Sequence, residues 1–592
     1  MFKFKLMFIA SFLFSFSALI SQNLAEQDNA ILQAMRDEIS RSMNELKLES
    51  LKSPYYIEYK VTETDASVIK STLGTLISSD DFKTSSLTVD VRVGDYEFDN
   101  SNFFDVGLSF FGSSDDEERF KRRNLGKELT YKGLRRELWL ATDGAYKQAA
   151  ELFSKKEAAR RNRTRIDTTH DFLKIEPQKV YNKSEYPKFD SEKYIEQAKQ
   201  ISAVFREYPE IFSSTVGFEF LPKNYYYVNS EGMEYIKTEL YFGVEIVAFL
   251  QNDDGMPLTQ HYSNYVNLPS QMPSLDSLVN AARYVANGLM AQVKAGELQE
   301  TYSGPVMFVG QAAAQSFAQS FVNNFVAQRP QMTEGGVQES DRDMAFQNKV
   351  GGRVLPEFLS VSAMPRQPEF NQVPLVGSFE TDEFGLQSQD VNLVQKGYLK
   401  SLLSSRVPTR RVRTSNGHSR GGAAMISNII ISVDDIEKVK SYDELKAELI
   451  SHCKERELPY GILVKGVMDK NIMFTTLYSV ARGIFSPPRT PGKLVLTEAY
   501  KVNLDGSEER IRGVEVNGLL PQSFKDILFV GKRPYVMNYL APSVVSPFIT
   551  GGDQYVASSI VTPDLLFEDL EIKITESDFK KPPFISNPVA GK

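Results

Sequence analysis

GPVMFVGQAAAQSFAQSFVNNFVAQR, residues 304–329, is the stretch whose reading decides the fold. A short apolar run, Val306–Val309, passes almost without a break into a helical pattern. Phe317, Phe321 and Phe325 recur every four residues and so share one helix face. Gln311, Gln315 and Gln319 recur at the same spacing, about 200° around the helix from the phenylalanines. One face is aromatic and the other carries amides. The spacing alone describes an amphipathic helix packed on a sheet.

Outward from this stretch, 592 residues are enough for at least two domains with substantial cores. Hydrophobic residues make up 42% and charged residues 24%, the balance of an ordinary globular protein. A net charge of −8 gives no reason to expect nucleic-acid binding. The basic runs at residues 121–123 and 160–163 are flanked by acidic residues and read as solvated helix faces.

The N-terminus has a separate character. Lys3 and Lys5 precede an apolar run over 6–20 that is too short to span a bilayer comfortably and fits a secretory signal. Residues 1–22 are therefore expected to be a signal peptide, with cleavage between Ser21 and Ala25. The expected location is periplasmic. No cysteine follows the run to carry a lipid and no later segment reaches transmembrane length, so no stable membrane anchor is expected. The one cysteine, Cys453, leaves no internal disulfide. The four histidines, His170, His261, His418 and His452, show no HxxxH or HxxH spacing.

Along the chain, residues 28–48 predict a helix capped by Asp28. Residues 55–61 and 87–98 alternate like strands. Residues 100–116 read as a loop. A long helix is expected over 134–160, with Trp139 among its apolar positions, and another over 191–207. Residues 225–229 and 233–250 predict strands joined by a turn at Ser230-Glu231-Gly232. Helix 275–295, capped by Ser274, follows, and the main boundary falls near 300. Beyond it strands dominate: 354–360, 375–380, 391–394, 425–433, 462–467, 471–479, 493–501, 510–516, 526–530, 558–561 and 566–574. One further helix, 445–456, opens on the capping box Ser441–Glu444. The expected class is α+β, with an N-terminal and central region over 27–300 and a strand-rich domain over 301–592.

Few residues suggest chemistry. Asp382 and Glu383 are adjacent carboxylates at a turn, read as structural before acid–base. The polar loop Ser415–Arg420 reads as substrate-facing, or as a Ser/His pair around His418. His452-Cys453 points to a buried thiol, since Cys453 continues the Leu445, Leu449 stripe. Tyr302–Phe308 could offer a strand edge to an extended peptide.

These pieces, in order, resemble the TldD/PmbA (TldE) family, the modulator-of-gyrase or U62-type peptidases. The strand "GPV" followed by a helix is similar to the opening of the family's C-terminal domain. Gly377–Gly385, Gly397-Tyr398-Leu399, Ser415–Arg420 and Pro563–Ile572 resemble its later motifs. The resemblance spans about residues 300–575, with weaker traces from 225 to 296. In the family's catalytic members HExxxH stands on this helix and a later cysteine completes a zinc site. Here the register reads Gly310-Gln311-Ala312-Ala313-Ala314-Gln315. An amide is no general base, and zinc prefers imidazole, thiolate or carboxylate. Cys453 does not match the family's cysteine position.

The resemblance thus implies a metal-free PmbA/TldE-like subunit with no catalytic residues and no cofactor. Zinc is expected only in a TldD-like partner. Such a subunit would pair with that partner, or with itself, and process unfolded peptides. Gln311, Gln315, Asn416, His418 and Arg420 are the expected substrate-binding residues. The alternatives are a stand-alone periplasmic peptide-binding protein and a hydrolase with an unrecognised site.

Overall fold

The computed structural model describes residues 26–47, 51–104, 122–161, 168–333, 336–338, 345–472, 492–545, 552–575 and 585. The expected signal peptide and most of the expected strand over 471–479 lie outside these residues.

The N-terminal half is built on one seven-stranded sheet. Its first two strands, Pro54–Thr72 and Thr75–Val93, form a single long hairpin. Leu73 and Gly74 both have positive φ, 47° and 72°, which is the backbone of a tight hairpin turn. The next pair, Ser213–Asn229 and Glu234–Gln251, adds beside the first, and Pro257–Val266 adds beyond it. Alternation decides what each face meets. Even-numbered residues such as Phe218, Phe220, Phe242, Val244 and Ile246 pack under helices Ser191–Ala203 and Leu275–Val293. Toward the other end of the same sheet, Tyr59, Val61, Val89 and Tyr226 pack under helices Glu26–Glu45 and Tyr131–Arg161. Odd-numbered residues of 219–245 carry tyrosines and charges, and this face meets the C-terminal half.

The C-terminal half closes a small barrel. Tyr302–Phe308 pairs in parallel with Tyr460–Val467 and antiparallel with Leu565–Ile574. Leu494–Asn503 and Val514–Asn517 complete the ring. Beside it stands a six-stranded sheet that includes Leu359–Ala363, Asn428–Val433, Tyr535–Pro542 and Tyr555–Thr562. Helix Gln311–Ser320 lies between barrel and sheet, within one continuous core that draws on both. The fold is α+β, a helix-covered antiparallel sheet followed by a strand-rich half.

Several expectations are corrected. Asp28 is not a cap: the helix already runs at Glu26, and the Asp28 carboxylate accepts hydrogen bonds from Lys183 and Tyr226. Trp139 is half exposed, because Leu134, Leu138 and Ala141 take the inward stripe. Residues 62–72, 75–84 and 257–266 are strand although their polar content hid them, and residues 535–542 are strand as well. Residues 375–380 are not strand; only Val373–Pro374 pairs there. Over Val306–Phe308 the strand Tyr302–Phe308 offers no free edge, since it is paired there on both sides, while Tyr302–Gly304 pairs with Leu565–Ile574 alone. By contrast, Ser274 and the Ser441–Glu444 capping box open their helices as the sequence indicates.

Candidate functional site at the helix and the domain junction

The Ala312–Ala314 run gives helix Gln311–Ser320 its propensity, and the chain enters it through Gly310 at φ 53°. The Gly310 N–H donates to Asp564, 2.7 Å. The α-helix is shorter than the sequence pattern. It stops at Ser320, Phe321 leaves helical geometry, and Val322–Phe325 forms a 3-10 turn. The aromatic face survives this break. Phe321 packs edge-on to Phe317 and Phe325, with ring centroids 5.4 and 5.3 Å away, and also meets Phe346 and Phe524. All are almost wholly buried.

The amide face is also turned inward. Beyond Phe308 the barrel strand Tyr460–Val467 loses its neighbour, and Gln311 takes the vacant place. Its Nε2 donates to the Val467 carbonyl at 2.8 Å, and its Oε1 accepts from the Val467 N–H at 3.0 Å. One side chain therefore satisfies both main-chain groups of a strand end. Gln319 Nε2 bridges to Gln315 Oε1 at 2.8 Å and to the Met468 carbonyl at 2.9 Å. Gln315 is only 2% exposed.

Zinc would need imidazole, thiolate or carboxylate donors. The first two turns of this helix offer carboxamides, with that of Gln311 committed to the main chain. Among the described residues, no three His, Cys, Asp or Glu side chains come together as a metal-holding group. The donor set at this helix does not fit zinc. Cys453 is buried among Met307, Leu445, Leu449 and Leu463, away from this face.

The Ser415–Arg420 loop is knitted into the core. Asn416 accepts from the Ser404 N–H at 2.8 Å and donates to the Leu402 carbonyl at 2.9 Å. The His418 Nδ1 lies 3.0 Å from the Asn416 carbonyl, and its Nε2 lies 3.4 Å from Ser427 Oγ. Burial brings the imidazole down to about 4, so it is neutral near pH 7. Both His418 and Ser427 are closed to solvent, which leaves their contact no substrate to meet. Of the loop's polar residues, Arg420 is the one that lines a cavity, the cleft at the domain junction. Its guanidinium sits over the Phe379 ring and donates to the carbonyls of Ile426 and Ala557.

That cavity is a cleft of about 390 Å³ between the tyrosine-rich sheet face and the C-terminal half. Lys223, Lys237 and Glu239 rise from the sheet, while Glu383, Arg420 and Asp553 come from the other side. Lys223 pairs with Asp553 at 3.0 Å and Lys237 with Glu239 at 2.8 Å. Burial alone would raise the Glu239 carboxyl, but Lys237 and Arg420 beside it bring it to about 2. The Glu383 carboxylate accepts from the N–H groups of Gly421 and Gly422 and lies 3.6 Å from Lys60. Its neighbour Asp382 is wholly buried and accepts from the N–H groups of Phe384, Leu386 and Ser419.

The structure therefore divides the five expected residues. Gln311 and Gln315 stand on the helix, Asn416 and His418 inside the loop, and Arg420 in the cleft. The antiparallel strands Tyr535–Pro542 and Tyr555–Thr562 measure the separation. The Tyr535 ring lies 3.7 Å from where a Cβ on Gly310 would stand, while Tyr555, Val556 and Ala557 line the cleft at the far end. Seven strand steps between the ends span roughly 23 Å. Sequence reasoning missed Lys223, Lys237, Glu239 and Asp553. The charges and tyrosines at odd positions Glu219, Lys223, Tyr225, Tyr227, Tyr235, Lys237, Glu239 and Tyr241 were the available signal for the first three.

A strand-rich domain with a small barrel, set behind a helix-covered antiparallel sheet, is the architecture of a known peptidase class. Residues 301–574 match the PmbA/TldA metallopeptidase C-terminal domain, so the C-terminal half of the chain is a domain of the PmbA/TldD metallopeptidase family. The fold is similar to that of a proposed modulator of DNA gyrase from Thermotoga maritima. That match has a TM-score of 0.55 and 12% identity, covering 91% of this chain and 100% of the other. TldE from Thermococcus kodakarensis matches with a TM-score of 0.53 and 12% identity, over 91% of this chain and 99% of that one. A proposed modulator of DNA gyrase from Bacteroides thetaiotaomicron matches with a TM-score of 0.55 and 12% identity, over 93% and 99%. At this identity the likeness is one of fold. Comparison with curated protein sequences gives no match.

Proposed function

We propose that this chain is a TldE-like member of the family that performs no zinc chemistry itself and works as one half of a peptide-processing dimer with a zinc-bearing, TldD-like partner. The observation that carries the reading is the Gln311 clamp. Where the resemblance sets the general base of the catalytic members, this chain has a carboxamide whose donor and acceptor are both spent on Val467. A carboxylate there would lose the bond to the Val467 carbonyl, so the residue suits a fixed structural joint and not a proton shuttle. A C-terminal domain of a metallopeptidase family and the fold shared with TldE support the rest of the reading. Its partner-dependent chemistry also accounts for a family fold kept whole without zinc ligands on the helix. Export is part of the proposal and rests on the N-terminal sequence alone.

Co-purification from native membranes and soluble fractions tests the pairing. The reading expects a second chain bearing HExxxH and peptidase activity that chelators abolish. Recovery of this chain alone, with chelator-sensitive peptidase activity of its own, would overturn it.

A further inference from the structure

The cleft at the domain junction lies toward the opposite end of strands Tyr535–Pro542 and Tyr555–Thr562 from Gly310, and it is not part of that reading. Its volume is in the range of small-molecule and side-chain pockets. The lining carries three cationic side chains and five carboxylates. Every cation is already committed: Lys223 to Asp553, Lys237 to Glu239 and Thr381, and Arg420 to two carbonyls. Three carboxylates are matched by these cations, by Lys60 or by main-chain N–H groups. Two are left. Glu185 and Glu380 stand exposed on the lining, and among the described residues no cation pairs with either. The same lining includes the aromatic residues Tyr186, Tyr241, Phe379 and Tyr555.

Free carboxylates beside aromatic faces, with no uncommitted cation, select for positive charge. The pocket already shows the preferred geometry internally, since the Arg420 guanidinium is stacked 4.7 Å from the Phe379 ring centroid. We propose that this cleft is a binding site for an ammonium or guanidinium group, with Glu185 and Glu380 as its anionic contacts and the tyrosine and phenylalanine rings as its walls. The shared chemistry has two sources, the basic side chain of a peptide and a free polyamine.

Calorimetric titration of the purified chain separates them. The probes are acetylated and amidated Ala-Ala-Arg-Ala-Ala, the same peptide with Glu for Arg, and spermidine. The Arg peptide is expected to bind at least about tenfold more tightly than the Glu peptide, weakening as salt rises. The double variant Glu185→Gln, Glu380→Gln is expected to lose roughly tenfold in affinity. Both side chains are exposed and the change is nearly isosteric, so the variant retains its fold, which circular dichroism checks. Spermidine binding that is lost in the same variant, without binding of the Arg peptide, assigns the site to a polyamine. Equal binding of the Arg and Glu peptides with no response to spermidine overturns the proposal. Unchanged affinity in the double variant does so as well. The titration uses this chain alone, so its outcome is independent of metal content and of any partner.

Discussion

Truncating Phe321 to Ala removes the ring at the middle of the aromatic cluster. Phe321 is wholly buried and its ring centroid lies between 4.6 and 5.4 Å from those of Phe317, Phe325, Phe346 and Phe524. Loss of a buried phenylalanine side chain costs about 3–5 kcal/mol, and four ring neighbours place this site in the upper half of that range. In a chain of this size unfolding is not expected to be two-state, and Trp139, the only tryptophan, reports on the other half. Hydrogen exchange read on peptides covering 302–325 measures the local opening instead. At about 1.4 kcal/mol per tenfold, exchange should accelerate by roughly three to three and a half orders of magnitude. Gln315→Ala, in the same experiment, removes one bonded amide from a buried face and should cost only about 1 kcal/mol. An acceleration below about tenfold for Phe321→Ala would refute the view that this helix is held by its aromatic face.

Three further outcomes follow from the same geometry. Gln311→Glu should destabilise the helix–barrel joint by about 1–3 kcal/mol near pH 7, because a carboxylate then faces the Val467 carbonyl, and the loss should shrink as the pH falls far enough to protonate it. Burial raises the Asp382 carboxyl to about 6 against three main-chain N–H donors. The folded chain therefore keeps this proton while the unfolded chain releases it, so the group's contribution, of order 2–3 kcal/mol, should be lost as pH rises from about 4 to about 6. Denaturation across that range should show the slope in the wild type and lose it in Asp382→Asn. Finally, N-terminal sequencing of the mature protein should begin between Gln22 and Gln27, in a fraction outside the cytoplasm. A chain starting at Met1 in the cytosol would contradict export.

The sequence made some features visible and hid others for physical reasons. Helices with a clear cap and stripe, such as Leu275–Val293 and Tyr442–Glu455, were legible because local chemistry alone sets them. The long hairpin was not, because residues 75–84 are largely exposed on both faces and need no apolar alternation. Asp28 misled because a carboxylate at a helix start looks the same whether it caps the helix or bonds a distant tyrosine. The amide stripe of residues 311–319 misled in the same way. Gln311 and Gln315 were expected to meet substrate, whereas the amides of Gln311 and Gln319 satisfy a strand end that exists only after the barrel closes. The cleft is a tertiary feature, since its two sides lie more than three hundred residues apart at Lys223 and Asp553. Of its residues, Arg420 was marked beforehand through the polar loop and Glu383 through the carboxylate pair with Asp382.

The central claim is that this chain carries no catalytic zinc of its own. Metal analysis of the full-length mature protein, purified without chelators and then supplied with zinc and desalted, tests it most directly. The account predicts far less than one equivalent of retained zinc per chain. One equivalent of tightly held zinc, released together with peptidase activity by a chelator, would contradict it.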